Sequence, residues 1–358
     1  MWRTDVLQFL LAVCLDVLLG DPRDWPHLTR AAGALCAPFE ILWARLLGRT
    51  VFAGMILWLS VCGTLLAAYL LARNILSRFG APMGWIWDAL VIYQTLAARD
   101  LDAHARAVVA PLLLDDLGEA RLRVGTIVGR DTHNLDASEI SRAAVEAVAE
   151  SATDGFVAPL FWAAVGGAPA ALIYRATNTL DSLVGHRNPR YELMGKFSAR
   201  ADDVLGYIPA RLCALASLLP RAFRYALAVL QDSGKHASPN AGWSEAAAAW
   251  ALGVRLGGTN YYDGVPHRGP VFNANARPAQ PGDILRVLRW FWGVAFFCVF
   301  VFAAVLEARQ WLAPKTVMLP EVPPEIPKPD FNRRFEPLPP APPVKLKGQI
   351  TNGNDSKP

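Results

Sequence analysis

Charged residues are scarce in this chain. Asp, Glu, Lys and Arg make up 18% of its 358 residues, against ~25% in soluble domains. The mean hydropathy of +0.24 is also high for a water-soluble chain. This shortage of charge argues against two soluble domains and favours one polytopic bundle of membrane helices. The net charge is only +4 and the Lys and Arg residues are dispersed, so nucleic acid is not an expected partner.

Cysteine is also sparse, and common ligand-binding motifs are absent. The five cysteines lie far apart, with no CxxC pair and no His at metal-ligand spacing, so we interpret them as small core hydrophobes. The chain has no GxxxxGK[ST] phosphate-binding loop. No internal repeat is visible. A zinc site of the CxxC type and a P-loop nucleotide fold are therefore excluded.

Long apolar runs are present instead, and they predict four or five membrane helices. Residues 51–72 carry no charge and are long enough to cross a hydrocarbon core of ~30 Å. Weaker runs occupy residues 2–19, 204–219 and 290–306. Residues 99–114 are amphipathic, which is typical of an interfacial or cytoplasmic helix. Arginines flank nearly every run on both sides, so the membrane orientation stays open.

An acidic stripe marks the middle of the chain. Asp136 or Ser138 can cap a helix on which Arg142, Glu146, Glu150 and Asp154 recur at every fourth residue and share one face. Like charges at this spacing repel by ~0.2–0.5 kcal/mol per pair, which predicts a bound cation such as Mg²⁺. The alternative is a solvated acidic face that Arg142 or Arg175 neutralises.

A second polar cluster follows the uncharged residues 156–174. Asn178, Asp181, Ser182 and Gly185 have helical spacing and share a face, although they could equally be capping and turn residues. One straight helix over residues 156–174 would separate the two clusters by about 28 Å. The Gly-Gly-Ala-Pro sequence at 166–169 predicts a broken helix instead. A re-entrant hairpin of this kind would bring both clusters to one face.

Local signals predict the structure of three further segments. Residues 238–242 predict a turn, Ser244 can cap an alanine-rich helix that ends at Gly257-Gly258, and residues 260–281 predict a loop. Arg211 lies inside an apolar run, which makes it a site candidate that could pair with Asp202 or Asp203. The alternative is an arginine near a helix end that extends to the interface.

Ordered sequence blocks carry a family resemblance. They read GRDT at 129–132, AAVE at 143–146, VAE at 148–150, DG at 154–155, NTLDSLVG at 178–185, SARADD at 198–203 and PAR at 209–211. LDVLLGDPRDWPHLTRAAG at 15–33 and SPNAGWSEAAAAWALGVRLGG at 238–258 flank them. The chain resembles the CobD/CbiB family of adenosylcobinamide-phosphate synthases, which are membrane proteins of cobalamin biosynthesis. It departs from the family pattern at Leu28, Ser151 and Lys196, none of which removes an acidic residue.

The resemblance implies an enzyme that joins cobyric acid to 1-aminopropan-2-ol or its phosphate, using ATP and Mg²⁺. Amide formation from a carboxylate needs activation, most simply as an acyl phosphate, and nucleotide binding is implied by the resemblance alone. The expected catalytic residues are Glu150, Asp154 and Asp181, and the expected metal ligands are Glu146, Glu150 and Asp154. The expected substrate-binding residues are Asp21, His27, Arg30, Arg130, Asp131, Asn178, Ser182, Arg200, Asp202, Asp203, Arg211 and Asn240.

The fold class that we predict is an all-α polytopic integral membrane protein with cytoplasmic or interfacial amphipathic helices. A membrane domain would cover residues 1–313, and the proline-rich residues 314–358 would form a disordered tail. The family implies the inner cell membrane and a cytoplasmic active site. The alternative function is a non-enzymatic transporter or an accessory protein on the same fold. The missing inverted repeat and the intact acidic stripe favour the enzyme.

Overall fold

The structure is a computed structural model, and it describes residues 5–22, 25–186, 188–217 and 223–312. The predicted disordered tail at residues 314–358 lies outside the described residues, so that domain boundary stays a prediction. Of the described residues 75% are helical, which confirms the all-α fold class. Twelve α-helices and one short sheet make up the part of the chain that the structure describes.

The helices lie in chain order as follows. They are α1 Val6–Leu19, α2 Leu28–Leu47, α3 Val51–Ser77, α4 Ala81–Tyr93, α5 Ala98–Leu113, α6 Leu117–Gly125, α7 Ala137–Ala152, α8 Ala158–Val184, α9 Lys196–Ser217, α10 Phe223–Ser233, α11 Ala241–Leu252 and α12 Pro281–Leu312. A π-helical turn, Thr153–Val157, joins α7 to α8.

Three helical stretches are long and apolar enough to cross a membrane: α3, the continuous stretch Ala137–Val184, and α12. The expected count of four or five is therefore too high for the described residues. The first helix has only 14 residues, or about 21 Å, and α9 begins with charged turns that shorten its apolar part. The structure nevertheless has the membrane character that the composition predicts.

Local capping fixes where α7 begins. The carboxylate of Asp136 accepts a hydrogen bond from the backbone N–H of Glu139 at 2.8 Å, so Asp136 is the N-cap. The Ser138 hydroxyl, the other candidate, donates to the backbone oxygen of Ala279 at 2.9 Å. Alanine-rich and buried on nearly every side, α7 packs against α5, α11 and α12. The acidic stripe thus lies at the centre of the molecule.

The predicted break in the second apolar stretch is confirmed. Gly167 has φ 72° and ψ −164°, a conformation that is open essentially to glycine alone, and it divides α8 into two segments. The π-helical turn before α8 adds a second irregularity. One extra residue in a turn rotates the following helix by roughly 100° relative to a continuous α-helix. Together the two features redirect the chain between the polar clusters.

The region interpreted as a loop contains a β-hairpin. Strand β1 (Leu256–Tyr262) pairs antiparallel with β2 (Val265–Phe272). The two residues between them, Asp263 and Gly264, both have positive φ, as a tight hairpin turn requires. The alanine-rich helix also differs from prediction: α11 begins after Asn240 and ends at the left-handed Gly253, so Ser244 lies inside it.

Candidate active site

A polar cavity of about 440 Å³ lies between α7, α11 and the β-hairpin. Its volume is within the range of small-molecule sites. Charged residues from each of these elements contribute to its wall. They are Glu146 and Glu150 from α7, Glu245 from α11, His267 and Arg268 from β2, and Arg130 and His236 from the connecting segments.

Glu146 is fully engaged by protein groups. One carboxylate oxygen accepts from Arg142 at 3.1 Å and from the backbone N–H of Gly257 at 2.6 Å, and the other accepts from Arg130 at 2.5 Å. Arg130 also donates to the side chain of Asn260. All three ionised side chains are nearly buried and form an ion-pair network, in which the Nε of Arg142 is the nitrogen left without a hydrogen-bond partner among the described residues. For Glu146, neutralisation by arginine is what the structure shows.

Glu150, one turn further along α7, is in the opposite situation. It lines the cavity, it is exposed there, and it makes no hydrogen bond or ion pair with any described residue. Glu245 enters the same cavity from α11, is 8% exposed, and also lacks a hydrogen-bond partner among the described residues. Burial, with a smaller contribution from the charges of Glu150 and Glu146, holds the pKa of the Glu245 carboxyl well above its usual range. The cavity therefore presents two carboxyl groups that no described residue hydrogen-bonds.

The β-hairpin forms the cationic side of the cavity, and Asp131 anchors the hairpin. The backbone N–H of Asp131 donates to the carbonyl of Tyr261 at 2.8 Å. The Asp131 carboxylate accepts from the backbone N–H groups of Gly264 at 2.8 Å and Asp263 at 3.3 Å. These contacts fasten the turn to the segment before α7. Asp131 therefore positions the hairpin in the structure.

The second polar cluster lies beyond the π-helical turn. Arg175 on α8 donates to the backbone oxygen of Asp154 at 3.4 Å, and Asn178 donates to Asp202 on α9 at 3.2 Å. Asp154 interacts electrostatically with Glu150, Asp181 and Asp202. The break in α8 thus brings the two predicted clusters together, as the hairpin hypothesis expects. Asp154 does not line the 440 Å³ cavity, so the stripe divides between two neighbouring environments.

Asp202 on α9 contacts the second cluster through Asn178, and it lies outside the stretches that are long and apolar enough to cross a membrane. Burial, then the nearby charge of Asp181, raises the pKa of the Asp202 carboxyl to about 7, although the hydrogen bond from Asn178 opposes the shift. The Ser182 hydroxyl donates to the carbonyl of Asn178 at 3.1 Å, which is a local helix bond. The Ser182 hydroxyl is therefore already occupied by a hydrogen bond within α8.

The described part of the loop between α1 and α2 lies near this second cluster. The backbone N–H of Asp21 donates to Asp100 at 2.7 Å, and Arg30 donates to Asp21 at 3.4 Å. His27 caps α2 and lies 3.8 Å from the Asp21 carboxylate. Burial lowers the pKa of His27, and Asp21 partly offsets that effect. His27 also interacts electrostatically with Arg175, which connects the loop to the second cluster.

Three of the predicted substrate-binding residues do not line the 440 Å³ cavity. Arg211 stacks on Tyr207, with 3.3 Å from its guanidinium carbon to the ring centroid, and also on Trp243 at 4.8 Å. Its pairing with Asp202 or Asp203 is wrong, because its hydrogen bond goes to the Tyr207 carbonyl. Asn240 donates to the Asp203 carbonyl at 2.9 Å and joins α11 to α9. Arg200 is exposed on α9.

Sequence reasoning missed the residues that complete the cavity. Glu245 is the one charge in α11, and a lone carboxylate in an alanine-rich helix is costly to bury, so its position was a usable signal. His267 and Arg268 were overlooked because their segment was interpreted as a loop. Asp263-Gly264 between apolar and aromatic residues is a strong hairpin signal that would have placed them on a strand.

The described residues hold no group of three or more His, Cys, Asp or Glu arranged to bind a metal ion. Glu146 does not fit as a ligand, since both of its oxygens are occupied by arginines and a backbone N–H. Glu150 fits better, because Mg²⁺ is commonly held by one or two carboxylates together with water and substrate phosphates. The predicted metal site at Glu146, Glu150 and Asp154 stays a prediction.

The fold and the site define an α-helical membrane protein with a charged cavity against its central helix. The chain belongs to the CobD/Cbib protein family, whose sequence model matches residues 9–291. This match confirms the resemblance and covers every residue of the candidate site. No solved structure matches the chain.

Two relatives match nearly their full length. A cobalamin biosynthesis protein CbiB of Salmonella arizonae is 38% identical over 320 residues, covering 86% of this chain and 98% of the relative. A cobalamin biosynthesis protein CobD of Citrobacter koseri is 39% identical over 309 residues, covering 84% and 97%. The similarity therefore extends over most of the chain.

Proposed function

We propose that this chain acts in cobalamin biosynthesis and forms the amide bond between cobyric acid and 1-aminopropan-2-ol or its phosphate, with ATP as co-substrate. The observation that carries the proposal is the cavity in which Glu150 and Glu245 have no hydrogen-bond partner among the described residues, while His267 and Arg268 lie on the facing hairpin. Such a cavity suits a ligand that carries an amine together with phosphate groups. The names of the relatives support the pathway.

Each side of the cavity would have a separate task. Glu245 would bind the ammonium group of the amino alcohol and accept the proton that it must lose before the nitrogen can attack an acyl group. Arg268 and His267 would bind phosphate oxygens and offset charge that develops on them. The cavity is too small for a whole corrinoid, so the macrocycle would present only its side-chain carboxylate.

The carboxylate oxygen of cobyric acid would first form a bond with the γ-phosphorus of ATP, the bond from that phosphorus to ADP would break, and ADP would leave. The amine nitrogen forms a bond with the activated carbonyl carbon, the bond from that carbon to the phosphate oxygen breaks, and phosphate leaves. Mg²⁺, held by Glu150 and by phosphate oxygens, would supply neutralisation of the phosphate charge. Arg130 contributes indirectly, because its bonds to Glu146 and Asn260 hold the cavity wall in place.

The direct test is synthesis with purified membranes that contain the full chain. Cobyric acid, ATP and Mg²⁺ are incubated with each amino alcohol, and the amide product is identified by its mass. Omitting ATP or the amino alcohol should abolish the product. Glu192→Gln is the matched control for site variants, because Glu192 is exposed and lies outside the cavity.

Failure to form amide with either amino alcohol would overturn the proposed reaction. In that case the same membranes, prepared as sealed vesicles, should be tested for corrinoid uptake. Uptake that requires Glu150 but no ATP would favour the transporter alternative.

A further inference from the structure

We propose that a groove along the first half of α12 is a binding site for an anionic phospholipid. The groove has a volume of about 650 Å³ and lies between α12 and the ends of α9 and α11. We call it the α12 groove. It is lined on α12 by Arg286, Arg289, Trp290, Gly293, Val294 and Phe297, and it shares no lining residue with the candidate active site. The inference is therefore independent of the proposed reaction.

The lining residues of α12 form one continuous helical face. Their spacing of three or four residues places them one above the other, from Arg286 to Phe297 over roughly 17 Å. The polar members come first and the apolar members follow. Since α12 is long and apolar enough to cross a membrane, this order places charge toward its N-terminal end and apolar surface toward the hydrocarbon. A phospholipid has the same order of headgroup and acyl chain.

The charge at the polar end favours an anionic headgroup. Asp283 accepts from Arg277 at 2.7 and 2.8 Å and from Arg286 at 2.6 Å, so one carboxylate faces two guanidinium groups. Arg289 is exposed and makes no hydrogen bond or ion pair with any described residue. Arg286 and Arg289 line the groove, and because Asp283 is also paired with Arg277, positive charge is in excess at this end. Arginine is suited to a phosphodiester, because its planar fork can bond two oxygens at once.

The apolar end of the groove has room for an acyl chain at Gly293. A Cβ atom added to Gly293 would meet nothing within 4 Å. Glycine inside a helix costs ~0.5–1 kcal/mol relative to alanine, so a larger residue here should not harm folding. Trp290 lies between the arginines and this opening, and tryptophan is enriched at membrane–water interfaces. A larger side chain at position 293 would therefore occupy part of the groove.

The test measures lipid binding directly. The full chain is purified in detergent and titrated with phosphatidylglycerol or phosphatidylcholine of identical acyl chains, and bound lipid is counted by native mass spectrometry. We expect phosphatidylglycerol to bind more tightly. Arg289→Gln should weaken phosphatidylglycerol about fivefold, the effect of one interfacial arginine, and should leave phosphatidylcholine unchanged. Gly293→Leu should weaken both lipids, because it occupies the acyl-chain space.

Two control variants carry the same chemical changes elsewhere. Arg78→Gln removes an exposed arginine at the end of another membrane span, and Gly63→Leu enlarges an exposed glycine inside that span. Both should bind lipid as the unmodified chain does. Equal binding of the two lipids, or full phosphatidylglycerol preference in Arg289→Gln, would overturn the proposal. A dimer that Gly293→Leu dissociates, without lipid preference, would assign the groove to a second copy of the chain.

Discussion

Glu146 and Glu150 occupy successive turns of α7 but have different surroundings. Arg130, Arg142 and the Gly257 N–H satisfy the first carboxylate, whereas the second faces the cavity without a partner. The protein thus uses one acidic residue to hold its structure together and leaves the next one available for a ligand.

Substitution by glutamine should separate these roles. Glu150→Gln removes a like charge next to Glu146, so thermal stability should hold or rise while amide synthesis collapses. If the loss is in metal affinity, raising Mg²⁺ should restore part of the activity. Glu146→Gln should lower stability by about 3–5 kcal/mol, since it leaves buried arginines without their partner. Melting temperature and product mass measure the two effects.

Asp181→Asn extends this comparison to the second cluster. Because the break in α8 brings Asp181 near Glu150, this variant should lose synthesis as Glu150→Gln does. Normal turnover in both variants would contradict the catalytic assignment and leave the family membership unaffected.

Two aspartates should give pH dependences of opposite sign. The folded-state pKa of Asp202 is raised to about 7 from 3.8, so its contribution to stability is complete below pH ~4 and is lost as the pH rises through 7. Asp232 is buried, which alone would raise its pKa, but hydrogen bonds from Asn273, Lys235 and Trp250 lower it. The contribution of Asp232 to stability is present above pH ~4 and is lost as the pH falls through the folded-state pKa of this carboxyl.

Apparent melting temperatures across this pH range test both signs. Asp202→Asn should flatten the decline between pH ~4 and 7, and Asp232→Asn should lower stability at neutral pH while reducing the loss in acid. An unchanged Asp202→Asn profile would show that this carboxyl is already ionised in the folded protein.

At the scale of the elements, the break in α8 decides whether one site exists. A straight helix would hold Asp154 and Asn178 far apart, whereas the turn at Gly167 allows Arg175 to contact Asp154. The glycine is required here by backbone conformation. The alanine-rich composition of α7 and α11 adds to this arrangement, because small side chains permit the close helix contacts that surround the cavity.

Gly167→Ala should therefore destabilise the protein by ~1–3 kcal/mol, because a side chain strains this φ/ψ region. The expected result is a lower melting temperature together with reduced synthesis. Gly63→Ala in α3 is the matched control: Gly63 has open space around it and should tolerate alanine without loss. Equal melting temperatures for the two variants would argue against a strained turn at Gly167.

For the whole molecule, the family match ends at residue 291 and the last described helix ends at Leu312. The proline-rich residues beyond it cannot bury a core. Deleting residues from Pro320 onward should accordingly leave insertion and amide synthesis intact. Synthesis per unit of inserted protein measures this. A truncated chain that inserts normally but forms no product would assign the tail a role in the reaction.

The sequence alone determined the helical membrane class, the break in α8 and the family, and it narrowed the cap of α7 to Asp136 or Ser138, because composition, capping residues, glycine and ordered motifs are local properties of the chain. It left open what each charge contacts. Whether Glu146 is paired and Glu150 is free depends on where Arg130 and Gly257 lie in space. The same holds for Glu245, for the Arg211 stacking and for the α12 groove. Only tertiary structure decided these, since burial and ion pairing arise between residues far apart in the chain.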